Sequence, residues 1–446
     1  MDGFEFRDGR LWAESVAIEE IVGEVGTPVF VYSAETIREH LARLSKAFSP
    51  LSPQIRFSVK SCPNLSILKL VLDTGAGLDL VSGGELHRAI AAGADPAQCV
   101  FAGVGKTDTE IDAALAAGVG LFNVESGEEL ATLTSRCEAL GRSARAALRI
   151  NPEVEPGTHR HTATGRRATK FGVDLAEAAA IFKGHDHRSP LRLVGLHLHI
   201  GSPIATPAPY LDAIDKALSL RDDLRKAGCT IEVLDLGGGF AADYTTGQAP
   251  PAKAYAERFL PRLAPAVAEG LEIILEPGRS IVANAGILLV RVVFTKNSGG
   301  RRFAICDAGM NALIRPSHYD AFHFIWPARV GEHWVPPRRE AAPPLEDLEV
   351  VDVVGPLCET GDYLALDRAL PPLARGEVLA VFTAGAYGMS MANRYNSSPL
   401  PAEVLVDGDR WRLIRARESY DDLLEHERPA RLARALPSPP LSTSCP

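Results

Sequence analysis

No stretch of this sequence stays apolar for the ~20 residues that a helical bilayer crossing requires, so the chain is expected to have no membrane partner. No lysine- or arginine-rich run with interleaved aromatics is present, and the net charge is −9, so the electrostatic footprint of a nucleic-acid binder is missing. The first ten residues, MDGFEFRDGR, carry acidic groups and no apolar core, unlike a secretory signal or transit peptide. The seven cysteines are odd in number and lack paired spacing, which points to reduced thiols and a cytoplasmic location rather than a disulfide framework.

What is present is a periodic series. Eight short apolar runs, IRFSVK (55–60), AGLDLV (76–81), QCVFAG (98–103), VGLFNV (119–124), ARAALRI (144–150), RLVGLHLHI (192–200), IEVLDL (231–236) and EIILE (272–276), alternate with polar or alanine-rich stretches of helical length. Strands alternating with crossover helices have this form. Eight such units predict a closed (β/α)8 barrel, in which functional groups collect at the carboxyl ends of the strands. Lys60, Asp79, His199, the glycines after Leu236, and Glu276 fall at those ends.

At 446 residues the chain exceeds one barrel of ~250 residues, so a second domain is expected. After Glu276 the pattern changes to strand-like runs joined by Gly, Pro, Asn and Asp turns: AGILLVRVVFTK, RRFAICDAG, LEVVDVVGPL, GEVLAVFTAG, PAEVLVDG and RWRLIRARE. EFRDGRLWAE and TPVFVYS near the start also read as strands in need of a partner sheet. The division predicted is a barrel over 37–285, a β-sandwich from 1–36 plus 286–426, and a flexible tail over 427–446, whose LPSPPLSTSCP has too few large apolar groups to offset ordering.

Lys60 closes an apolar strand, where desolvation lowers an amine's pKa and suits it to condense with a carbonyl; a strand-capping lysine reaching solvent would look the same in sequence. His197 and His199 are two apart and share a side, but two imidazoles without further ligand spacing are weak grounds for zinc, and no metal is assigned. Gly237, Gly238 and Gly239, the Gly-Ser turn of HIGS and the arginine of EPGR are three late-strand features suited to a phosphate.

Taken in order, FSVKSCPN, LDLVSGGEL, HLHIGS, DLGGGF and EPGRS resemble the motif series of the fold-type III pyridoxal-phosphate enzymes, the group that contains alanine racemase and the eukaryotic-type ornithine decarboxylases. DAGMNALIRPSHYDAFH (307–323), VVGPLCETGDYLA (353–365) and TAGAYGMSMANRYNSSPLPAEVLVDG (383–408) narrow the resemblance to the diaminopimelate decarboxylase family, over nearly the whole folded chain. The resemblance implies decarboxylation of meso-2,6-diaminopimelate to L-lysine, with pyridoxal 5'-phosphate as cofactor. It makes Lys60 the amine that binds the cofactor, with Asp79 beside it, His199 stacked on the ring and Glu276 on the ring nitrogen. Ser202, Gly238, Gly239, Gly278, Arg279 and Tyr387 match phosphate-holding positions. Arg279, Arg315, Tyr319, Glu359 and Tyr387 match substrate contacts, and Cys358 with Glu359 matches a pair that reaches into a neighbouring subunit's site, which implies a homodimer with shared sites.

The loop KSCPN departs from the KAN of many relatives and leaves the reactivity of Cys62 open; Pro203 and the NSSPLP segment depart as well. Competing readings are a decarboxylase of ornithine, arginine or carboxynorspermidine, a non-catalytic pyridoxal-phosphate carrier, and a metal-dependent hydrolase using His197 and His199.

Overall fold

A computed structural model describes residues 2–155 and 169–427. Of the tail expected over 427–446, only Glu427 lies within the described residues.

All eight apolar runs form strands: Gln54–Ser58, Gly77–Leu80, Cys99–Phe101, Leu121–Val124, Ala144–Arg149, Leu191–His197, Val233–Asp235 and Glu272–Leu275. Every neighbouring pair is parallel, and the eighth strand pairs with the first through Ile274 opposite Gln54 and Leu275 opposite Ile55, which closes the barrel. The following helices start where a short polar side chain satisfies free backbone N–H groups. Asn64, Ser82, Thr107, Ser126 and Asp174 cap the helices that begin at Leu65, Gly83, Asp108, Gly127 and Leu175.

Inside the barrel, Val100, Leu121, Ala147, Val194, Val233 and Ile274 form an apolar cluster separate from the main core. Side chains two apart on a strand share a face. Asn123, Arg149, Asp235 and Glu276 therefore stand one layer above Leu121, Ala147, Val233 and Ile274, and the barrel is apolar below and polar at its mouth.

The second region is one nine-stranded mixed sheet. Its long strand Gly286–Ser298 pairs antiparallel with Val29–Ser33, which pairs parallel with Ala402–Asp407. The segment TPVFVYS thus sits in the sheet's interior between late parts of the chain. EFRDGRLWAE forms a hairpin, Phe4–Arg7 with Arg10–Ala13, that completes a separate three-stranded sheet with Val16–Ala17. Elements outside the sequence expectation include the helices Ile18–Val25, Arg315–Tyr319 and Tyr420–Leu424 and the strands Val16–Ala17, Ile325–Pro327 and Tyr363–Leu370.

Candidate active site at the mouth of the barrel

Lys60 stands in a helical turn, Val59–Ser61, just beyond the first strand, and its Nζ donates to Asp79 Oδ2 at 3.0 Å. Asp79 is fully buried on the second strand and also accepts from Ser58 Oγ at 2.7 Å. The expectation of a depressed lysine pKa is corrected here. Burial works against the ammonium, but the carboxylates of Asp79 and then Glu276 outweigh it, and the pKa is raised. In the bare protein this amine is a held cation.

Glu276, one residue past the eighth strand, is 2% exposed. Its Oε1 accepts from Asn123 Nδ2 at 3.1 Å, and the same amide donates to Asp235 Oδ2 at 2.9 Å. Burial and then the charge of Asp79 push the Glu276 carboxyl up to about 8, against the pull of Lys60. Burial and Glu276 likewise raise Asp235 well above its ordinary value. Two adjacent carboxyls away from water thus favour holding protons, and a cationic group beside Glu276 would reverse that preference.

The strand ends at His197, so His199 lies in the following loop rather than on the strand, yet the two imidazoles and the Glu276 carboxylate come within 4.8 Å of one another. His197 Nε2 is 3.5 Å from Glu276 Oε2. Burial first, then the positive charges of Arg149 and Lys60, hold His199 well below its usual pKa, so its ring is neutral. Its Nδ1 accepts from the Gly238 N–H at 3.3 Å, which fixes the ring against the glycine turn. That turn is pressed tightly: a Cβ on Gly238 would lie 2.2 Å from the Glu276 carbonyl, and one on Gly239 2.3 Å from the Gly201 carbonyl. Gly278 is crowded in the same way, its Cβ position 2.9 Å from Ser58 Cβ.

Arg279 is 5% exposed and donates through Nε to Ser202 Oγ at 3.1 Å, with its guanidinium 4.8 Å from the Tyr387 ring centre. The Tyr387 N–H donates to the Ser61 carbonyl at 2.9 Å, tying this loop to the Lys60 turn. Arg315, on the short helix Arg315–Tyr319, is 6% exposed and lies 5.8 Å from the Tyr319 ring. Lys60, Asp79, His199, Ser202, Gly238, Gly239, Glu276, Gly278, Arg279, Tyr387, Arg315 and Tyr319 thus converge through linked contacts on the barrel mouth.

Cys358 and Glu359 do not join them in the single chain. Both are exposed, on a loop that Asp362 clamps by accepting from the Met310 N–H at 2.7 Å and the Leu357 N–H at 2.6 Å. The doubt over Cys62 is resolved: it is 2% exposed, beside Tyr32 and Glu403, and burial pushes its thiol up to about 12, so it is not a reactive thiolate.

Sequence reasoning missed four residues. Asn123 links the two raised carboxyls, and Arg149 pairs with Glu125 at 2.7 Å and donates to the His199 carbonyl at 3.1 Å. Tyr244 accepts from Arg279, and His323 accepts from Arg315. Asn123 and Arg149 were legible as polar residues at the carboxyl ends of apolar strands; Tyr244 and His323 carried no local signal.

A parallel barrel with a lysine, a buried acid and phosphate-suited turns at its mouth is the arrangement of a pyridoxal-phosphate enzyme, and the family described as pyridoxal-dependent decarboxylase, pyridoxal binding domain, matches residues 34–283. The diaminopimelate decarboxylase of Aquifex aeolicus is 44% identical over 94% of this chain and 96% of its own. That of Pseudomonas aeruginosa is 43% identical over 96% and 99%. The solved diaminopimelate decarboxylase of M. jannaschii, in complex with L-lysine, superposes with a TM-score of 0.88 at 34% identity, covering 96% of this chain and 99% of that one. The chain belongs to the diaminopimelate decarboxylase family.

The cofactor of this family is pyridoxal 5'-phosphate, and the site fits it. Lys60 supplies an amine; Glu276 is a buried carboxyl in want of a cation; Ser202, Arg279 and the glycine turns offer donors to a phosphate. Among the described residues, Asp79 Oδ1, Asn123 Oδ1 and both ring nitrogens of His197 are buried without a hydrogen-bond partner at the same mouth.

Proposed function

We propose that the protein removes one carboxylate of meso-2,6-diaminopimelate as CO2 and releases L-lysine, the last step of lysine biosynthesis. The observation that carries the substrate assignment is the pair of buried guanidiniums, Arg279 and Arg315, beside the Lys60–Glu276 centre. Among the described residues neither makes an ion pair with a carboxylate. Buried cations call for an anionic partner, and a substrate with an amino-carboxylate at each end brings a second carboxylate that survives the reaction.

Lys60 would anchor the cofactor, His199 would lie against its ring, and Glu276 would keep the ring nitrogen protonated. Ser202, Gly238, Gly239, Gly278, Arg279 and Tyr387 would hold its phosphate. Bound there, pyridoxal phosphate supplies an electron sink for the pair left when the carbon–carboxylate bond breaks. Asp79 holds the Lys60 amine in place, and Arg279, Arg315, Tyr319 and Tyr387 fix the end of the substrate that does not react. A proton must return to the carbon that lost CO2. The exposed Cys358 thiol supplies it across a homodimer interface, and the partner's Glu359 takes the distal ammonium. The exposure of both groups in the single chain supports this reading, and six free cysteines among the described residues support a cytoplasmic setting.

The test is CO2 release from meso-diaminopimelate beside a panel of D- and L-amino acids, with visible absorbance of the cofactor followed in wild type and Lys60→Ala. Wild type should act on meso-diaminopimelate and bind the chromophore, and Lys60→Ala should do neither. An unchanged absorbance in Lys60→Ala removes the assignment of the anchor.

A further inference from the structure

The two guanidiniums proposed to hold the substrate repel each other, and each is more than nine-tenths buried. Something must keep them apart and aimed without cancelling their charge, since a carboxylate between them would compete with the substrate. The structure places one side chain against both. Tyr244 lies in the polar loop after the glycine turn, between the seventh strand and the helix Ala252–Ala268. Its Oη accepts from Arg279 Nη1 at 2.7 Å, and the Arg315 guanidinium lies 5.2 Å from its ring centre.

The ring is braced from behind. His323 meets the Tyr244 ring edge to face at 5.4 Å. Its Nδ1 donates to the Phe382 carbonyl at 2.9 Å, which leaves Nε2 to accept from Arg315 Nε at 3.4 Å. A continuous row therefore runs from Ser202 through Arg279, Tyr244 and Arg315 to His323 and the backbone of Phe382. Each contact uses a neutral partner, so neither positive charge is cancelled by the groups of this row.

We infer that Tyr244 is a positioning and specificity residue: it sets the spacing of Arg279 and Arg315, and thereby the recognition of the substrate's surviving carboxylate. This rests on the reading of the two arginines as a carboxylate clamp. A phenol oxygen that accepts from Arg279 still carries a proton to donate, so Tyr244 can itself contribute to binding an anion. The charges of Arg279 and Arg315 hold its pKa below the ordinary tyrosine value even though burial would raise it.

The inference separates ligands by whether they carry that carboxylate. In the holoenzyme, Tyr244→Phe should raise the inhibition constant of L-lysine about tenfold, the effect of losing a hydrogen bond to a charged group. The inhibition constant of 1,5-diaminopentane, which has both amines and no carboxylate, should stay within about twofold. KM for meso-diaminopimelate should rise with that for L-lysine, and the cofactor absorbance should be unchanged. Tyr244→Leu, which also removes the surface under Arg315, should widen the gap between the two inhibitors. Equal shifts for both inhibitors, or no shift for either, overturn the role assigned to Tyr244. A wild-type enzyme that ignores meso-diaminopimelate and L-lysine alike would instead overturn the clamp on which it rests.

Discussion

At the scale of single residues, the site is organised by charges that the bare protein leaves uncompensated. Glu276 illustrates the sign. Its carboxyl titrates near 4.5 when unfolded and about 8 when folded, so between those values the folded state binds the extra proton and rising pH costs stability. In the cofactor-free protein, the stability of wild type relative to Glu276→Gln should therefore fall from pH 5 to pH 8 and level off above it. Thermal melts of both proteins across that range check this, and parallel curves would contradict the buried, proton-holding carboxyl. In the holoenzyme, Glu276→Gln should lower turnover by ~10² or more, because a neutral amide no longer stabilises a protonated ring nitrogen. Arg315→Ala should raise KM for meso-diaminopimelate by ~10² and erode the preference over substrates with a single carboxylate, since the discrimination comes from a buried charge left unpaired by the wrong ligand. An unchanged ranking of substrates would remove Arg315 from the clamp.

At the scale of elements, the Lys60 turn is anchored to the sheet as well as to its own strand. Glu403, on the strand Ala402–Asp407, accepts from Tyr32 Oη at 2.9 Å and from Asn64 Nδ2 at 2.8 Å. Tyr32 belongs to the strand Val29–Ser33, and Asn64 caps the helix Leu65–Leu72 just after KSCPN. One 3% exposed carboxyl thus joins two sheet strands to the loop that carries Lys60. Replacing Glu403 by Ala leaves a buried phenol and a buried amide without partners and should cost about 2–4 kcal/mol by denaturant unfolding. Glu403→Gln keeps an acceptor and should cost less. If Ala and Gln cost the same, the network is not what holds these elements together. Elements of this kind were readable unevenly. The eight barrel strands are compact apolar runs bounded by caps and turns, and each could be placed from sequence. Tyr363–Leu370 escaped because Asp367 and Arg368 interrupt its alternation, and Ile325–Pro327 because three residues ending in proline carry no period.

At the scale of the whole molecule, the motif residues of the barrel were legible because they fall at or just beyond the ends of its strands, where the fold gathers them. Tyr244 and His323 were not, because their roles come from loops brought together by the closed barrel and the second sheet, and no spacing along the chain records that meeting. Cys358 and Glu359 raise the assembly. With sites shared across a homodimer, mixing inactive Cys358→Ala and Lys60→Ala subunits in equal amounts should restore about a quarter of wild-type activity, since half of randomly paired dimers carry one intact site of two. No recovery after subunit exchange would place each site within one chain.

The placement of Val29–Ser33 between Gly286–Ser298 and Ala402–Asp407 has a consequence for biosynthesis. A ribosome delivers this strand first and its neighbours last, with the entire barrel emerging in between. The early strand must wait, unpaired and apolar, for about 250 residues until Gly286–Ser298 emerges, and for about 370 until its second neighbour does, so a transcript cut short before Ala402 would leave one apolar edge of the strand orphaned and aggregation-prone.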